Sequence, residues 1–338
     1  MVDIILTSYN RPDKVIALAK TLNSITGKKI IVVDSGGNDF SKCPFIKQFD
    51  SSYKNQPYQR YVGYLFSSAE FIIYLDDDME VVDQSFVYEV IRIFESSQEV
   101  SAINLVWKNK PNTKQSLDYI RKKRVFSNGS LMDKIKKYLT FYPNPPVGQL
   151  GPCGIRGGFP KCDYLDSIQF LSGGSFAVRR SSLYKNFNFF LFSHYNKKLG
   201  RGEDSMMGIT LTTVGKVVYL NCHYFWHNDD GYSHYLKNEY DNAKRYLFSR
   251  RYLSLERARI LGKSLLFSDI YFVFFSLFRI IPIAYRQVFH NDERAKDALR
   301  GSWEGLREAM EYEFCFENET RWKNRALLDI SNAKNSRQ

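Results

Sequence analysis

Four unbroken apolar runs constrain the fold more than any other feature: VDIILT (2–7), KKIIVVD (28–34), FIIYL (71–75) and VSAINLVW (100–107). None alternates apolar with polar residues, as a strand with one wet face does. Each therefore reads as a strand buried on both sides. The segments between them have helical spacing: Val15, Leu18, Ala19 and Leu22 after Pro12, then Val62, Leu65, Phe66 and Ala69, then DQSFVYEVIRIFESS (83–97). Strand and helix in alternation imply an α/β fold with a parallel sheet covered by helices on both faces. In such sheets ligands bind beyond the carboxyl ends of the strands. Asp34 and Asp76 both stand there.

Beyond residue 107 the rhythm loosens. RKKRVFSNGSLMDKIKK (121–137) is strongly basic, and PNPPVGQLGPCGIRGGFPKC (143–162) holds five prolines and five glycines, so it reads as a long loop. FLSGGSFAVRRSSL (170–183) is strand-like around a Gly-Gly turn, GRGEDSMMGITLTTVG (200–215) is a loop entering a helix, and KVVYLNCHYFWHN (216–228) is a strand. From about residue 235 the chain is helical and basic, which suggests a catalytic domain over 1–234 and a helical extension over 235–338. LLFSDIYFVFFSLFRIIPIAYRQVF (265–289) is its most apolar part. Its longest uncharged run is nine residues, against the roughly 20 a spanning helix needs. The last forty residues alternate in charge and read as solvated.

Formal net charge is +12, which suggests an anionic partner such as a nucleotide, a phosphorylated substrate or an acidic membrane surface. Five cysteines without C-x-x-C spacing argue against a disulfide framework or a structural zinc site, and for a reducing compartment. The first residues lack a basic stretch followed by an apolar one, so no signal peptide is expected. No zinc-finger, RNP-like or helix-turn-helix pattern supports nucleic-acid binding.

The stretch FIIYLDDDMEVVD (71–83) ends a buried strand in three aspartates. Asp76 and Asp78, two apart on a turning segment, can share a ligand and a divalent cation whose oxygen preference suits Mg2+ or Mn2+. Capping of the next helix is the plainer reading of the same residues. A triplet alone does not separate a nuclease from a phosphatase or a nucleotide-sugar enzyme.

The segments LTSYNRP, VVDSGG, QRYVGYLFSSAEFIIYLDDDMEV, LSGGSFAVRRSSL and GRGEDSMMGITLTTVG, in that order, resemble family 2 glycosyltransferases of the GT-A fold, over residues 2 to about 228. The resemblance implies a Rossmann-like α/β fold with a mixed, mainly parallel sheet and helices on both faces, and it implies roles residue by residue. Tyr9 and Asp34 would flank the base of a nucleoside diphosphate sugar, with Arg60 nearby. Asp76 and Asp78 would form the D-x-D pair, Asp76 at the ribose and Asp78 on the metal, Mn2+ or Mg2+, with Asp77 between them in the donor site. Gly173 and Gly174 would lie under the donor sugar and acceptor. Asp204, with Glu203 beside it, would be the catalytic base, although both acids also suit the N-terminus of a helix. His227 would be a further metal ligand, and His223 competes for that place. VVDSGG replaces the commoner VDDGS, and no Q-x-x-R-W motif appears, so transfer of one or a few sugars is expected rather than processive synthesis.

The basic and aromatic stretch 235–289 has the profile of a segment lying in a membrane interface. A helical cap on the catalytic domain or a dimer interface accounts for it equally well. Together these features point to an inverting transferase with a lipid-linked saccharide acceptor, undecaprenyl-diphosphate-linked. It would be peripheral on the cytoplasmic face of a bacterial plasma membrane, in O-antigen or capsule synthesis. The rivals are a sugar nucleotidylyltransferase, which needs a Gly-rich basic loop that TSYNRPDK is not, and a non-catalytic scaffold, against which the intact Asp78 and Asp204 count.

Overall fold

The computed structural model describes residues 1–110, 145–159, 164–165, 167–184, 186–228, 238–311 and 319–335. The basic stretch 121–137 and the domain boundary expected near 235 lie outside the described residues. Strands β1 (Val2–Ser8), β2 (Ile30–Asp34), β3 (Ile46–Asp50), β4 (Phe71–Asp76), β5 (Met79–Val81), β6 (Val100–Asn109), β7 (Tyr164–Leu165), β8 (Ser175–Arg179) and β9 (Lys216–His227) form one sheet. Its order is β3-β2-β1-β4-β8-β6-β9-β5, with β7 also on β9.

The first four strands in space are parallel, as the apolar runs predict. β8 then inserts antiparallel between β4 and β6, and β6 runs parallel to β9. The sheet is therefore mixed. β3 and β5 were not anticipated as strands: IKQFD is half polar, and the DDD turn hides the short MEV strand behind it.

Successive side chains explain why the runs are apolar throughout. Ile5, Ile31, Val33, Ile72 and Tyr74 join one core with Tyr58, Tyr61 and Val62 of helix α2 (Gln56–Phe66). Their neighbours Ile4, Leu6, Val32, Ile73 and Leu75 join a second core with α1 (Pro12–Thr26) and α3 (Phe86–Ser96). Both faces are covered, so neither parity of residue can be polar.

The remaining helices are α4 (Arg180–Leu183), α5 (Phe190–Asn196), α6 (Glu203–Leu211), α7 (Glu239–Ile260), α8 (Leu265–His290), α9 (Glu293–Glu311) and α10 (Glu319–Asn335). Two expectations for the C-terminal part change. The final stretch is not merely solvated. Trp322, Ala326 and Ile330 of α10 join the α2 core, and the buried Asp329 carboxylate accepts from Tyr58 Oη at 2.8 Å and from the Ser52 amide at 3.0 Å. Of the charges on α10, Glu319, Arg321, Lys323 and Arg325 lie on its exposed side and Asp329 on its buried side.

The apolar stretch is also longer as a helix than as an uncharged run. α8 continues through Pro282 for 26 residues, and by length and composition it suffices to cross a membrane. Asp269 is taken up by Arg251 of α7 at 3.1 Å, and Phe272 and Ser276 are buried against the protein. Leu266, Ile270, Phe274, Leu277, Ile281 and Val288 are exposed on the other side.

His194 marks the joint between α5 and α7. It is buried, with Phe248 and Tyr252 edge-on at 4.9 and 5.8 Å. Burial, helped by the charge of Lys197, lowers its pKa to about 4. The unfolded imidazole titrates near 6.5, so below that pH the unfolded chain binds a proton the folded chain refuses, and stability falls until pH passes the folded value. His194→Gln should therefore remove roughly 2 kcal/mol of the stability lost between pH 7 and pH 5, read from urea unfolding of both proteins at the two pH values.

Candidate active site

The carboxyl ends of three strands lie level. Ser8 of β1 is in register with Asp34 of β2, and Thr7 with Asp76 of β4. Gln59 fastens these ends from below, donating to the carbonyls of Ser8 and Val33 at 2.8 Å each. Asp34 stands at the expected strand end, but it is 1% exposed, and its carboxylate accepts from the amides of Gly36 (3.0 Å) and Asn38 (2.9 Å). In this state it closes the 34–38 turn. Tyr9 is half-buried, and the ammonium of Lys54 lies 3.2 Å from its ring centroid.

The three aspartates have three different environments. Asp76 Oδ1 accepts from Gln56 Nε2 at 2.6 Å and from Arg60 Nη2 at 3.2 Å. Burial raises its pKa in spite of Arg60. Asp77 meets Arg11 Nη1 at 3.0 Å, and burial plus the neighbouring Asp78 charge push its pKa up to about 6, against the pull of Arg11. Asp78 shares the same Arg11 nitrogen through Oδ2 at 2.9 Å, while its Oδ1 lies 3.4 Å from His227 Nε2. Burial works against the charge of Asp78, but His227 and Arg11 outweigh it and hold its pKa down to about 2.

His227 reaches this place because β9 pairs with β5: His227 is in register with Met79, directly after the triplet. Trp107 packs on its ring at 4.6 Å and donates to the Gly173 carbonyl at 2.7 Å. His223 falls in the irregular stretch of β9 and packs edge-on against Trp226 at 4.0 Å. Of the two histidines, His227 is the one beside Asp78.

Gly174 connects the aspartate triplet to β8. Its φ of +104° and its place against Met79 and Trp107 exclude a side chain, and its carbonyl accepts from the Asp76 amide at 2.8 Å. Gly173 borders the second acidic pair: a Cβ added there would stand 3.3 Å from Asp204 Oδ2.

Glu203 and Asp204 open α6 behind Gly202, so the helix N-terminus favours their charge. Their environments differ. Asp204 accepts from Arg156 Nη2 at 2.6 Å and from the Ser205 amide at 2.9 Å; although burial opposes it, Arg156 leads the interactions that lower its pKa. Glu203 accepts from Tyr195 Oη and lies 3.6 Å from Arg60 Nη1. Burial and the Asp204 charge raise its pKa. One carboxylate is thus held ionised beside one held toward neutrality, the arrangement that separates a base from its neighbour.

Arg60, expected near the donor, is buried. It is 1% exposed, beneath the floor, and joins Asp76 of the first acidic group to Glu203 of the second. Sequence reasoning missed Arg11, Arg156, Gln56 and Tyr195. Two carried a signal: Arg11 follows the first strand in a fold that needs counter-charge for three aspartates, and Arg156 is the lone charged residue of the Pro- and Gly-rich segment 145–159.

The residues fit a divalent cation. Asp78 Oδ1 is buried without a hydrogen-bond donor and faces an imidazole nitrogen. One carboxylate and one histidine are few ligands, and among the described residues no group of three or more His, Cys, Asp or Glu converges. Sparse protein ligation suits Mg2+ or Mn2+ completed by substrate phosphates.

No protein-family model matches the chain, and no curated protein does. Among solved structures it is similar to the mannosyltransferase PcManGT from Pyrobaculum calidifontis in complex with GDP-Man and Mn2+, at 12% identity and a TM-score of 0.45, over 98% of this chain and 79% of that one. It is similar to S. aureus TarS 1–349 at 11% identity and a TM-score of 0.44, over 94% and 93%. A third is glucosyl-3-phosphoglycerate synthase from Mycobacterium tuberculosis in complex with Mg2+ and UDP, at 12% identity and a TM-score of 0.45, over 78% and 80%. The functional reading rests on the site's own residues.

Exchanging the two histidines separates their roles. His227→Ala should weaken Mn2+ binding about tenfold or more, followed by water-proton relaxation, whereas His223→Ala should leave it unchanged.

Proposed function

We propose that the chain is an inverting, metal-dependent glycosyltransferase of the GT-A type, moving a sugar from a nucleoside diphosphate sugar to a saccharide acceptor. One observation carries the reading: the Asp78–His227 pair and the ionised Asp204 stand on two acidic groups that a single side chain, Arg60, joins. A site with the first group alone would bind a metal and lack a base.

Asp78 and His227 would hold Mn2+ or Mg2+, which supplies Lewis-acid neutralisation of the charge growing on the leaving diphosphate. Asp76, fixed by Gln56 and Arg60, presents its remaining lone pairs toward the ribose side. The Tyr9 ring, with the Lys54 ammonium over one face, would offer its other face to the base. Gly173 and Gly174 leave room for the sugar. Asp204 accepts the proton that the attacking hydroxyl loses, a contribution of roughly 10²–10⁴-fold. Glu203, held toward neutrality, does not compete for it. Attack by the acceptor hydroxyl, its proton passing to Asp204 as the C–O bond to the nucleoside diphosphate breaks, would be a single displacement and would invert the anomeric configuration.

The acceptor is read as lipid-linked and the protein as peripheral on the cytoplasmic face of a bacterial plasma membrane, in surface-polysaccharide synthesis. Supporting this are the exposed apolar side of α8 and the basic α7 beside it.

A screen of UDP-, GDP- and dTDP-sugars with Mn2+ tests the reading through donor hydrolysis and transfer. At least one donor should turn over, with loss on chelation, and Asp204→Asn should bind that donor normally but not transfer. No turnover of any donor would falsify the enzyme. Arg156 gives a pH test. Asp204 must be ionised to act, and Arg156 keeps its pKa low. Arg156→Gln should move the acid limb of the kcat/KM profile to higher pH.

A further inference from the structure

Three guanidiniums converge on one ring outside the site described above. Those of Arg279, Arg250 and Arg201 lie 4.0, 4.6 and 5.2 Å from the centroid of Tyr246. They come from three separate elements: α8, α7 and the loop entering α6. On the same helices Arg251 finds Asp269, Arg259 finds Glu256 and Arg286 finds Asp292, while Arg245 and Arg257 find backbone carbonyls. Among the described residues, Arg201 finds only the Asn242 amide oxygen, at 3.1 Å. Arg250 finds only the carbonyls of Cys153 and Gly154. Arg279 Nε is buried with no acceptor. Cation–π attraction offsets some of the mutual repulsion, and with Arg201 exposed and Arg250 and Arg279 half-buried the outer donors of the cluster face solvent. An anion with several oxygens meets both the charge and these donors.

Position narrows the anion. Arg201 directly precedes Gly202, Glu203 and Asp204, and Arg250 grips Gly154, two residues before the Arg156 that pairs with Asp204. The cluster thus adjoins the proposed base. Arg279 projects from the side of α8 opposite its exposed residues Ile270, Phe274, Leu277 and Ile281. With that apolar side in an acyl layer, the cluster stands about one helix diameter above it, roughly 10 Å. A ligand whose tail stays in the layer and whose sugar reaches Asp204 would carry its phosphates there.

We infer that Arg201, Arg250 and Arg279 form an anion site that takes the phosphate or diphosphate of the acceptor and points its sugar at Asp204. The inference rests on the transferase reading for its ligand but not for its chemistry, and the test separates the two.

Inorganic pyrophosphate is titrated by calorimetry with EDTA present, which silences the Asp78–His227 site. The wild type should bind at one site. R201Q/R279Q, which spares Arg250 and its grip on the 153–154 loop, should bind about tenfold more weakly or worse, and R201K/R279K should recover most of the loss. Unchanged binding in R201Q/R279Q overturns the site. Flotation with phosphatidylcholine vesicles then distinguishes sources, using farnesyl diphosphate or an equal charge of phosphatidylglycerol. R201Q/R279Q should lose the preference for farnesyl diphosphate and keep its affinity for phosphatidylglycerol. An equal loss for both vesicles makes the cluster a general headgroup contact and overturns its role toward the acceptor. Variant-sensitive pyrophosphate binding in a protein that turns over no donor upholds the anion site while the transferase reading falls.

Discussion

The site depends on a charge that water does not reach. Arg60 is always ionised and almost wholly buried, and it lies between Asp76 at the end of β4 and Glu203 at the start of α6. Those two carboxylates come from opposite halves of the chain. A guanidinium can serve both because its nitrogens form a rigid fork. Removing it would strand buried carboxylates, which typically costs about 3–5 kcal/mol. The pair of acidic groups is therefore one electrostatic unit. Arg11 and Arg156 complete it from the rim, one on Asp77 and Asp78, the other on Asp204. A chain with net charge +12 thus spends part of its excess on an acidic interior.

Much of this was legible because the signals are local. Unbroken apolar runs disclose strands buried on both sides, and the aspartate triplet and the Glu203–Asp204 pair stand at the strand end and helix start that their neighbours define. What stayed hidden depends on distance. Nothing near Arg60 shows that its two partners are 16 and 143 positions away, so it read as a donor contact rather than a buried tie. Asp34 closes its own turn with its carboxylate, a geometry that composition does not reveal. β3 escaped because its polar Gln48 is buried and used internally, donating to the Asn38 carbonyl at 2.7 Å. α8 was undercounted because a helix tolerates charges that a neighbour neutralises.

The C-terminal helices divide their work. α7 lies against the body, where Arg250 and Arg257 hold carbonyls of the 150–154 loop and Phe248 packs on His194. That loop delivers Arg156. The basic helix is consequently part of the machinery around Asp204 and not an appended tag. α8 turns its apolar side outward, and α10 returns to the sheet.

That return has a temporal meaning. Asp329 is the acceptor for Tyr58, a partner made 271 residues earlier. At about 5–20 residues per second, translation leaves Tyr58 and Ser52 without this carboxylate for a span of tens of seconds. During that time α2, which carries Arg60 and Gln56, has one flank bare. The nascent protein can form its parallel strands early, but the floor of its acidic cleft is finished only when the last helix arrives. Synthesis and competence are thereby separated, and an interrupted chain would have the acidic residues without the wall that steadies them.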